Sequence, residues 1–562
     1  MTEMDAEKMV PRSLAVENRT GVRSGVLLCA ALFILMFLPW LSAERELFRQ
    51  EGFYAAIAAE CAENVRNLSD GIAATAHHVV MDDAFPLYPT VVSLVYRLGV
   101  PMETALRLVS VTMVGVLSLL AALAAANRCN FRAGLVAGCC CFGTLFALEK
   151  GTVGGPEAMA ACFLLSAQLL FFHYGSRLAD WNSAWIAAGI LISLGFLCAG
   201  PIVILFFAFP LCFLRRPLSS SGKFRAPGFV AGVFLVAVVV LSWALPIEFA
   251  LRRYAAESGF EAVAPGRYFR ELVEFPLLFP LRMLPWSVVM WMPFCVALQA
   301  ISPLPVYNLY LRTLFFSTLA LVWLLPKSST AQLFFVVGPL AILTGICYDL
   351  GIRRYGRSLR RVIAVGGVLF PLTGVCLLAV CWMPYRFLNW FGSPEKMRFR
   401  EQPGYLGTAV AALAFLAVLS CLFHVGTRRN PYWVNLLLLG MGIGVIGGTM
   451  LLPYRMMERE WRNFGRDVRR VLPSDAGRIY KYEIQGMYNG LFYTGKPVYK
   501  LHRDDSLPNT EANVYVISPR FPDLPDRSWQ PLLPADYTCR GMPVSLWRGI
   551  PAAPENAEGR DE

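Results

Sequence analysis

Long apolar runs separated by short polar segments occupy most of the chain from residue 24 to residue 452. An α-helix rises about 1.5 Å per residue, so runs of this length can cross a hydrocarbon core roughly 30 Å thick. The pattern therefore predicts an α-helical polytopic membrane protein. About thirteen transmembrane helices are expected, at 24–43, 105–126, 132–148, 156–174, 183–199, 201–215, 228–246, 281–300, 310–325, 331–349, 362–384, 405–425 and 432–452.

The first apolar run follows a basic N-terminal segment, residues 1–23, and ends in Leu-Ser-Ala before Glu44. Its uninterrupted length suits a membrane anchor better than the shorter core of a signal peptide. We therefore predict an uncleaved first helix and a cytoplasmic segment before it. A cleaved signal peptide is the alternative.

Basic residues between the runs predict the orientation of the helices. Short loops rich in arginine and lysine mark the cytoplasmic side of a membrane protein. With an odd number of crossings, the basic groups all fall on the side of the N-terminus; they are Arg128 and Arg132, Arg215 and Arg216, the cluster from Arg353 to Arg361, and Arg428 and Arg429. The same count places the segments 44–104 and 247–280, and the tail from Pro453, on the outer face.

The tail after the last apolar run has the pattern of a small soluble domain. A helical stretch near 455–472 precedes two segments that alternate in the manner of strands, Arg478–Ile484 and Asn513–Ile517. The pattern predicts an α/β extracytoplasmic domain over 453–550. Residues 551–562 are polar and are predicted to be disordered.

Composition agrees with a membrane location and excludes nucleic acid as a partner. Hydrophobic residues make up 56% of the chain and charged residues only 16%, against about 25% charged residues in average soluble domains. The net charge of +12 comes from basic groups between apolar runs, not from one soluble face. Most of the fifteen cysteines lie inside apolar runs, as in Cys139–Cys141, and are expected to act as small hydrophobic side chains.

Acidic residues concentrate in the first outer segment. Glu44, Glu51 and Glu60 lie on a stretch with helical spacing, beside the aromatic Tyr54. Spacing alone also fits an amphipathic helix at the membrane surface that carries solvated carboxylates. Further along, Asp82 and Asp83 precede a proline-rich helix start that includes Tyr88; this pair could hold a metal ion, position a substrate, or cap the helix.

Other charged residues lie close to the predicted outer face. Glu157 follows Pro156 after a Gly-rich turn, where an acidic side chain also stabilises a helix start. Arg252, Arg253 and Arg270 lie in the second outer segment among aromatic residues. The arginine fork matches the oxygens of a phosphate group. Lipid headgroups would attract the same side chains by snorkelling.

The order of these segments resembles the GT-C glycosyltransferases of the protein O-mannosyltransferase and lipid A aminoarabinose transferase type. The family motif Asp-Glu-x-x-Tyr-Ala is similar to Gln50–Ala55, and a later acidic, proline-containing segment is similar to Asp82–Pro89. Similar motifs continue through most of the chain, at Leu98–Leu108, Leu194–Pro201, Leu284–Ser287, Pro326–Leu340 and Tyr488–Val498.

The resemblance implies an enzyme that moves a sugar from a polyprenyl-phosphate donor to a hydroxyl or phosphate group of a lipid, protein or glycan acceptor. We expect it in a bacterial cytoplasmic membrane, in contact with membrane lipid, with its site on the outer face. Glu51 is the candidate base or acceptor-positioning carboxylate, and Asp83 supports it and helps to hold a divalent metal ion if one is used. Candidate substrate-binding residues are Glu44, Tyr54, Asp82, Tyr88, Glu157, Arg252, Arg253, Arg270 and Lys327.

Three positions depart from the family pattern; in the later turn, Ala199 replaces a lysine, and the other two positions lie in the first outer segment. Gln50 replaces an aspartate and Ala84 replaces a lysine. Either the work of that aspartate passes to Glu51, Glu44 or Glu46, or the chain is a divergent branch with altered activity. Two other classes of function stay open, a multi-pass transporter or flippase and a protein that binds a lipid-linked sugar without catalysis.

Overall fold

The structure is a computed structural model, and it describes residues 12–41, 46–48, 50–64, 75–76, 79–80, 85–214, 224–254, 265–301, 304–325, 330–382, 432–446, 460–473, 476–484, 487–501, 513–524, 527–534, 537–539 and 541–551. The chain divides into two compact units. The first contains residues 1–43, 107–244 and 255–457, and the second contains 44–106, 245–254 and 458–562.

Helices dominate the described residues. In chain order they are α1 Arg12–Leu41, α2 Glu51–Asn64, α3 Leu87–Arg97, α4 Met102–Ala126, α5 Phe131–Phe142, α6 Leu145–Gly151, α7 Glu157–Phe172, α8 Trp181–Ala199, α9 Pro201–Cys212, α10 Pro227–Tyr254, α11 Pro265–Arg282, α12 Ser287–Met290, α13 Val296–Gln299, α14 Pro305–Leu324, α15 Phe334–Trp382, α16 Tyr432–Ile446, α17 Glu460–Val471 and α18 Tyr488–Phe492.

Several of these helices are long and apolar enough to cross a membrane. Five qualify among the described residues, and two bent pairs of shorter helices raise the number to seven. The five are Met102–Ala126, Glu157–Arg177, Trp181–Ala199, Pro227–Leu245 and Ala331–Arg357. A helical membrane protein is therefore confirmed. The total of thirteen crossings is not confirmed, because two of the expected spans, 331–349 and 362–384, lie in one continuous helix, and the expected span 405–425 lies outside the described residues.

One predicted loop is wrong. The sequence predicts two helices, 331–349 and 362–384, with a basic loop between them, whereas the structure forms the single helix α15 from Phe334 to Trp382. The physical reason is that the basic stretch contains no proline, and arginine and leucine are good helix formers. Charge patterning marks which side of a membrane a segment occupies, but it does not break a helix.

The residues between α4 and α5 contact three other helices of the first unit. The Arg128 guanidinium, after α4, lies 5.4 Å from the ring centre of Phe172 in α7 and 5.0 Å from that of Tyr307 in α14. Nearby, the Asn130 amide donates a hydrogen bond to Asp349 of α15, at 3.2 Å. The orientation predicted from charge puts all five residues on the cytoplasmic side, and this orientation stays a prediction.

Burial separates inner from outer helices of the first unit. In α15, 89% of the most apolar window is buried, whereas the corresponding value for α10 is 11%. Val230, Val233 and Phe234 of α10 are exposed. An exposed apolar face on a helix of membrane-spanning length is the surface that lipid tails cover.

A mixed sheet forms the centre of the second unit. Its strand order is β4-β3-β5-β9-β6, with parallel pairs among β4, β3 and β5 and antiparallel pairs among β5, β9 and β6. The strands of the chain are β1 Thr75–Ala76, β2 Val79–Val80, β3 Ile479–Tyr482, β4 Val498–Leu501, β5 Val514–Ser518, β6 Arg527–Pro531, β7 Thr538–Cys539, β8 Met542–Pro543 and β9 Ser545–Pro551.

Both faces of this sheet are covered by apolar side chains. On one face, Phe464 and Val468 of α17 pack with Ile479 and Ile517 of the sheet. The other face carries a second cluster that includes Trp529. The strands and the helix predicted from alternation in the tail are therefore present.

The second unit also contains the helices of the first outer segment. Helix α2 packs against α18, with Ile57 buried among Phe53, Ala56, Cys61 and Tyr488. The sequence predicts the outer segment and the tail as separate parts, but in the structure they share one compact unit.

Candidate active site

Glu51 is the first residue of α2, and its side chain closes the turn before the helix. The Glu51 N–H donates to the Phe48 carbonyl at 3.0 Å, and the Phe48 N–H donates to Glu51 Oε2 at 2.9 Å. These reciprocal bonds satisfy backbone groups that a helix start otherwise leaves unpaired. Residues 46–48, 50 and 51 are called the α2 turn below.

Two other predicted site residues contact each other in the second unit. Tyr54 is one helical turn further along α2, and its ring meets Tyr88 of α3 edge to face, with centres 5.4 Å apart. The buried Tyr88 hydroxyl donates to the Leu106 carbonyl at 3.1 Å. The structure thus brings together three of the residues that the resemblance implies.

Burial changes the interpretation of the first outer segment. The sequence also allows α2 to be an interfacial helix with solvated carboxylates, but the exposed fraction of Glu51 is 0%. That alternative is therefore wrong for Glu51, because its carboxylate caps the helix from inside the unit. The exposed position of the turn is Gln50, where the family has an aspartate.

Residues from the tail hold the α2 turn in place. Glu46 Oε1 accepts the backbone N–H of Arg462, at 2.8 Å, and the Leu47 N–H donates to the Tyr493 hydroxyl, at 2.9 Å. Glu46 and Leu47 are 2% and 1% exposed. The turn that carries Glu51 is therefore fixed by residues of α17 and by the residue after α18.

A carboxylate at the start of α4 completes this network. Glu103 Oε1 accepts from the Tyr493 hydroxyl at 2.8 Å and from the Arg462 guanidinium at 2.9 Å. Burial and the nearby Glu103 carboxylate raise the pKa of Tyr493 above its ordinary value. The phenol keeps its proton, so it can donate to Glu103 while it accepts from Leu47.

The Arg462 guanidinium is part of the same network. Burial lowers the pKa of Arg462, but its hydrogen bonds with Glu103 and Tyr493 raise it by more, so the net shift is upward. The guanidinium also lies 5.7 Å from the ring centre of Tyr493. Arg462 therefore keeps its charge and donates to the Glu103 carboxylate.

A second contact joins the tail to α2. Gly52 follows Glu51 and lies directly on Asn489 of α18, so that a Cβ at this glycine would lie 2.5 Å from the Asn489 backbone nitrogen. Next to it, the Phe53 ring packs edge to face on Tyr488, with centres 5.2 Å apart. Only glycine allows α18 to approach the first turn of α2 this closely.

A buried lysine lies against the ring of Tyr488. Lys481 of β3 is 3% exposed, and its ammonium group lies 4.5 Å from the ring centre of Tyr488. Burial and the positive charge of neighbouring Lys500 lower the pKa of Lys481 to about 8, and Glu60 of α2 opposes the change. A cation on an aromatic face is stabilised by the ring, so Lys481 supports the side chain that packs on α2.

Glu157 belongs to a separate site in the first unit. It is the first residue of α7, and its carboxylate folds over Gly155, since a Cβ at that glycine would lie 2.5 Å from Glu157 Oε2. Lys150 at the end of α6 is close enough to interact with Glu157 electrostatically. The backbone of Gly155 is held by the Ser110 hydroxyl, which accepts its N–H at 2.9 Å.

Within the described residues, the structure does not show the other predicted site residues in contact with Glu51. Arg270 is exposed and pairs with Glu274 of its own helix, at 2.7 Å. Arg252 and Arg253 lie in the last turn of α10. Four residues lie outside the described residues, namely Glu44, Asp82, Asp83 and Lys327.

A metal site stays a prediction. The described residues contain no cluster of three or more His, Cys, Asp or Glu side chains that could hold a metal ion. The pair for which the sequence predicts this role, Asp82 and Asp83, lies outside them.

Sequence reasoning missed the residues that hold the α2 turn. Glu103, Arg462 and Lys481 carried no motif, and Tyr493 appeared only inside a tail segment with family-like sequence. The available signal was the close succession of Tyr488, Tyr493 and glycines in that segment. Their partners lie hundreds of residues away along the chain, so spacing could not reveal the pairs.

Comparisons with known proteins identify the fold of this chain. Residues 83–245 match the family model described as dolichyl-phosphate-mannose-protein mannosyltransferase. The crystal structure of ArnT from Cupriavidus metallidurans in the apo state is similar at a TM-score of 0.65 and 15% identity, over 93% of this chain and 97% of that chain.

The crystal structure of the same ArnT bound to undecaprenyl phosphate gives a TM-score of 0.66, with the same identity and coverage. No curated protein is significantly similar to this chain in sequence. The resemblance to GT-C glycosyltransferases of the ArnT and protein mannosyltransferase type is therefore confirmed, and the fold is that of ArnT.

Proposed function

We propose that this protein is a membrane glycosyltransferase that moves a sugar from a polyprenyl-phosphate donor to a hydroxyl or phosphate acceptor on the extracytoplasmic face. The ArnT-like fold supports the class of enzyme, and the crystal structure of ArnT with undecaprenyl phosphate supports the class of donor. The acceptor is a lipid, protein or glycan, and the membrane is the bacterial cytoplasmic membrane.

The observation that carries the proposal is the position of Glu51 in this fold. Its carboxylate is fixed at the start of α2 by the Phe48 N–H, and one helical turn later Tyr54 packs on Tyr88. This is the segment in which the family carries its acidic motif. Because Glu51 is fully buried here, an acceptor reaches it after the side chains over the α2 turn move.

Glycosyl transfer makes two chemical demands. The acceptor oxygen attacks the anomeric carbon, the bond from that carbon to the phosphate oxygen breaks, and the acceptor proton passes to a carboxylate, for which we propose Glu51 supported by Asp83. The leaving polyprenyl phosphate needs cations, for which we propose Arg252, Arg253, Arg270 and Lys327. Glu157 is a proposed sugar-binding residue, with Glu44, Asp82, Tyr54 and Tyr88 around the acceptor.

The test is transfer of a radiolabelled sugar from short-chain polyprenyl-phosphate sugars to a membrane extract, with the wild type beside Glu51→Gln. Glutamine keeps an oxygen that accepts the Phe48 N–H, so this change preserves the helix cap and removes the proton acceptor. We expect a loss of transfer of about 10²-fold or more. The matched control is Glu63→Gln, an exposed residue of the same helix, which should transfer at the wild-type rate.

A further variant separates the two explanations of the Gln50 departure. Gln50→Asp places the family's aspartate at the exposed position of the α2 turn. An increase in transfer would show that the chain is an attenuated branch whose acid site is position 50. Full activity of Glu51→Gln would refute the role proposed for Glu51, and a wild type inactive with every donor would favour binding or transport instead.

A further inference from the structure

Hydrogen bonds tie the tail of the protein to the α2 turn. The relevant groups are the Tyr493 hydroxyl, the Arg462 backbone N–H and the Glu103 carboxylate. All three lie in the second unit with the α2 turn.

The Tyr493 hydroxyl lies at the centre of these contacts. It accepts the Leu47 N–H at 2.9 Å and donates to Glu103 Oε1 at 2.8 Å. A phenol has one proton to donate, so the bond to Glu103 leaves its oxygen oriented to accept from Leu47. The carboxylate thereby fixes the direction of the hydrogen bond that holds the turn.

Phe48, the residue after Leu47, links the Tyr493 hydrogen bond to the Glu51 carboxylate. Leu47 is held by Tyr493, and the adjacent Phe48 N–H donates to Glu51 Oε2 at 2.9 Å. On the other side, Glu46 is held by the Arg462 backbone N–H at 2.8 Å. Two consecutive residues of the turn are therefore fixed by the tail immediately before the residue that orients the Glu51 carboxylate.

Burial makes these bonds costly to lose. Glu46 and Leu47 have 2% and 1% of their surface exposed, so neither group can exchange its lost partner for bulk water without local movement. A displaced Leu47 backbone would shift the Phe48 N–H, and with it the carboxylate.

We propose that Tyr493 is a positioning residue for catalysis, which makes the C-terminal tail a part of the active site. The proposal rests on the glycosyltransferase function proposed above. Tyr493 acts through the backbone of residues 47 and 48 on Glu51, and Glu103 sets the orientation of its hydroxyl. The tail thus controls the rate of transfer in addition to any contact it makes with an acceptor.

The experiment compares Tyr493→Phe with Tyr537→Phe in the full-length protein in detergent. Both changes remove one phenol hydroxyl from the tail. The Tyr537 hydroxyl donates to Asp467 of α17, at 3.0 Å, whereas the Tyr493 hydroxyl accepts from Leu47 of the α2 turn. Transfer from a short-chain polyprenyl-phosphate sugar, thermal unfolding and amide hydrogen exchange of residues 46–54 are measured for each variant and for the wild type.

We expect Tyr493→Phe to lower kcat about tenfold, since misplacing a catalytic group by a fraction of an ångström has effects of this order. The KM for the donor should stay within about twofold, because no donor-binding group is changed. Exchange at the amides of residues 47 and 48 should become faster, while Tyr537→Phe matches the wild type in every measurement.

Three results would overturn the proposal. Tyr493→Phe could keep the wild-type kcat, or both tyrosine variants could lose rate and thermal stability equally, which would indicate a structural role only. Unchanged exchange at residues 47 and 48 would show that the hydroxyl does not hold the turn. A wild type that transfers no sugar would refute the proposed function, and the exchange result would then decide by itself whether Tyr493 holds the turn.

Discussion

Two helices of this protein start with a glutamate, and the two starts are held in different ways. Glu51 begins α2 in the second unit, and Glu157 begins α7 in the first. The Glu51 turn is bonded to residues 416 and 446 positions away along the chain, in the tail. Before Glu157, the Gly155 N–H donates to the Ser110 hydroxyl, 45 positions away.

The difference shows that the same local preference, an acidic residue at a helix start, can occur at two sites whose positions depend on different parts of the chain. An acidic side chain in the first turn of a helix is favourable wherever it occurs, so the sequence signal is the same at both places. The carboxylate of Glu51 depends on the folding and docking of the tail, whereas that of Glu157 depends on packing among helices of the first unit. Damage to the tail should therefore affect the first site and spare the second.

After the loss expected for Glu51→Gln, the largest effect should come from removing the charge of Glu157. Glu157→Gln should lower kcat/KM for sugar transfer about 10²-fold if Glu157 binds the sugar at the reacting centre, as the proposed function requires. The control is Glu149→Gln, at a glutamate whose side chain is 46% exposed beside the same turn. Equal activity of the two variants would leave Glu51 as the important carboxylate and Glu157 as a helix cap.

A smaller effect is expected where the tail contacts α2. In Gly52→Ala the new Cβ would meet the Asn489 backbone, 2.5 Å from its nitrogen and 2.7 Å from its Cα, so α18 must move. Overpacking of this kind costs about 1–3 kcal/mol. Thermal unfolding of the full chain should therefore occur at a lower temperature.

Substitutions at two other glycines are the controls for this prediction. In Gly155→Ala the new Cβ would meet only the end of the flexible Glu157 side chain, and in Gly477→Ala it would meet nothing within 4 Å. Gly155→Ala should perturb stability less than Gly52→Ala, and Gly477→Ala should not destabilise the protein. Equal unfolding temperatures for Gly52→Ala and Gly477→Ala would mean that α18 does not pack closely against α2 at Gly52.

The smallest effect is a dependence of stability on pH. The pKa of Lys481 is lowered to about 8 in the folded protein from 10.5, so between these values the unfolded chain binds more protons than the folded one. Stability contributed by this group therefore rises with pH from about 8, by at most about 1.4 kcal/mol per pH unit.

The measurement is the unfolding temperature of the full chain between pH 7 and pH 9.5, in the wild type and in Lys481→Met, which keeps an unbranched side chain of similar length. Cysteines and tyrosines also titrate near this range but are common to both proteins, so we expect the wild type to gain stability with rising pH relative to Lys481→Met. Lys496→Met, at another lysine of the tail, should retain the rise. A rise that persists in Lys481→Met would show that a different group is responsible.

The predictable part of the fold follows from regular periodicity. Apolar runs predicted most of the long helices of the first unit, but α11 lies mainly in the segment 247–280, which was predicted as an outer loop, and the expected span 281–300 is divided into short helices. Alternation over Arg478–Ile484 and Asn513–Ile517 predicted strands β3 and β5. The failure at α15 has a physical cause, because charge determines the side of a membrane and does not interrupt a helix. Of the site, the sequence indicated Glu51, Tyr54 and Tyr88, all of which lie in one motif-bearing segment.

The sequence by itself determined that the chain is a helical membrane protein with a family-like acidic segment, because hydropathy and motifs are local properties. Only the tertiary structure decided that Glu51 is buried and that Tyr493, Arg462 and Glu103 hold its turn. Those contacts join residues separated by up to 446 positions, and a hydrogen bond depends on distances of about 3 Å in space. Separation along the chain carries no record of such distances, so the dependence of the site on the tail is visible only in the fold.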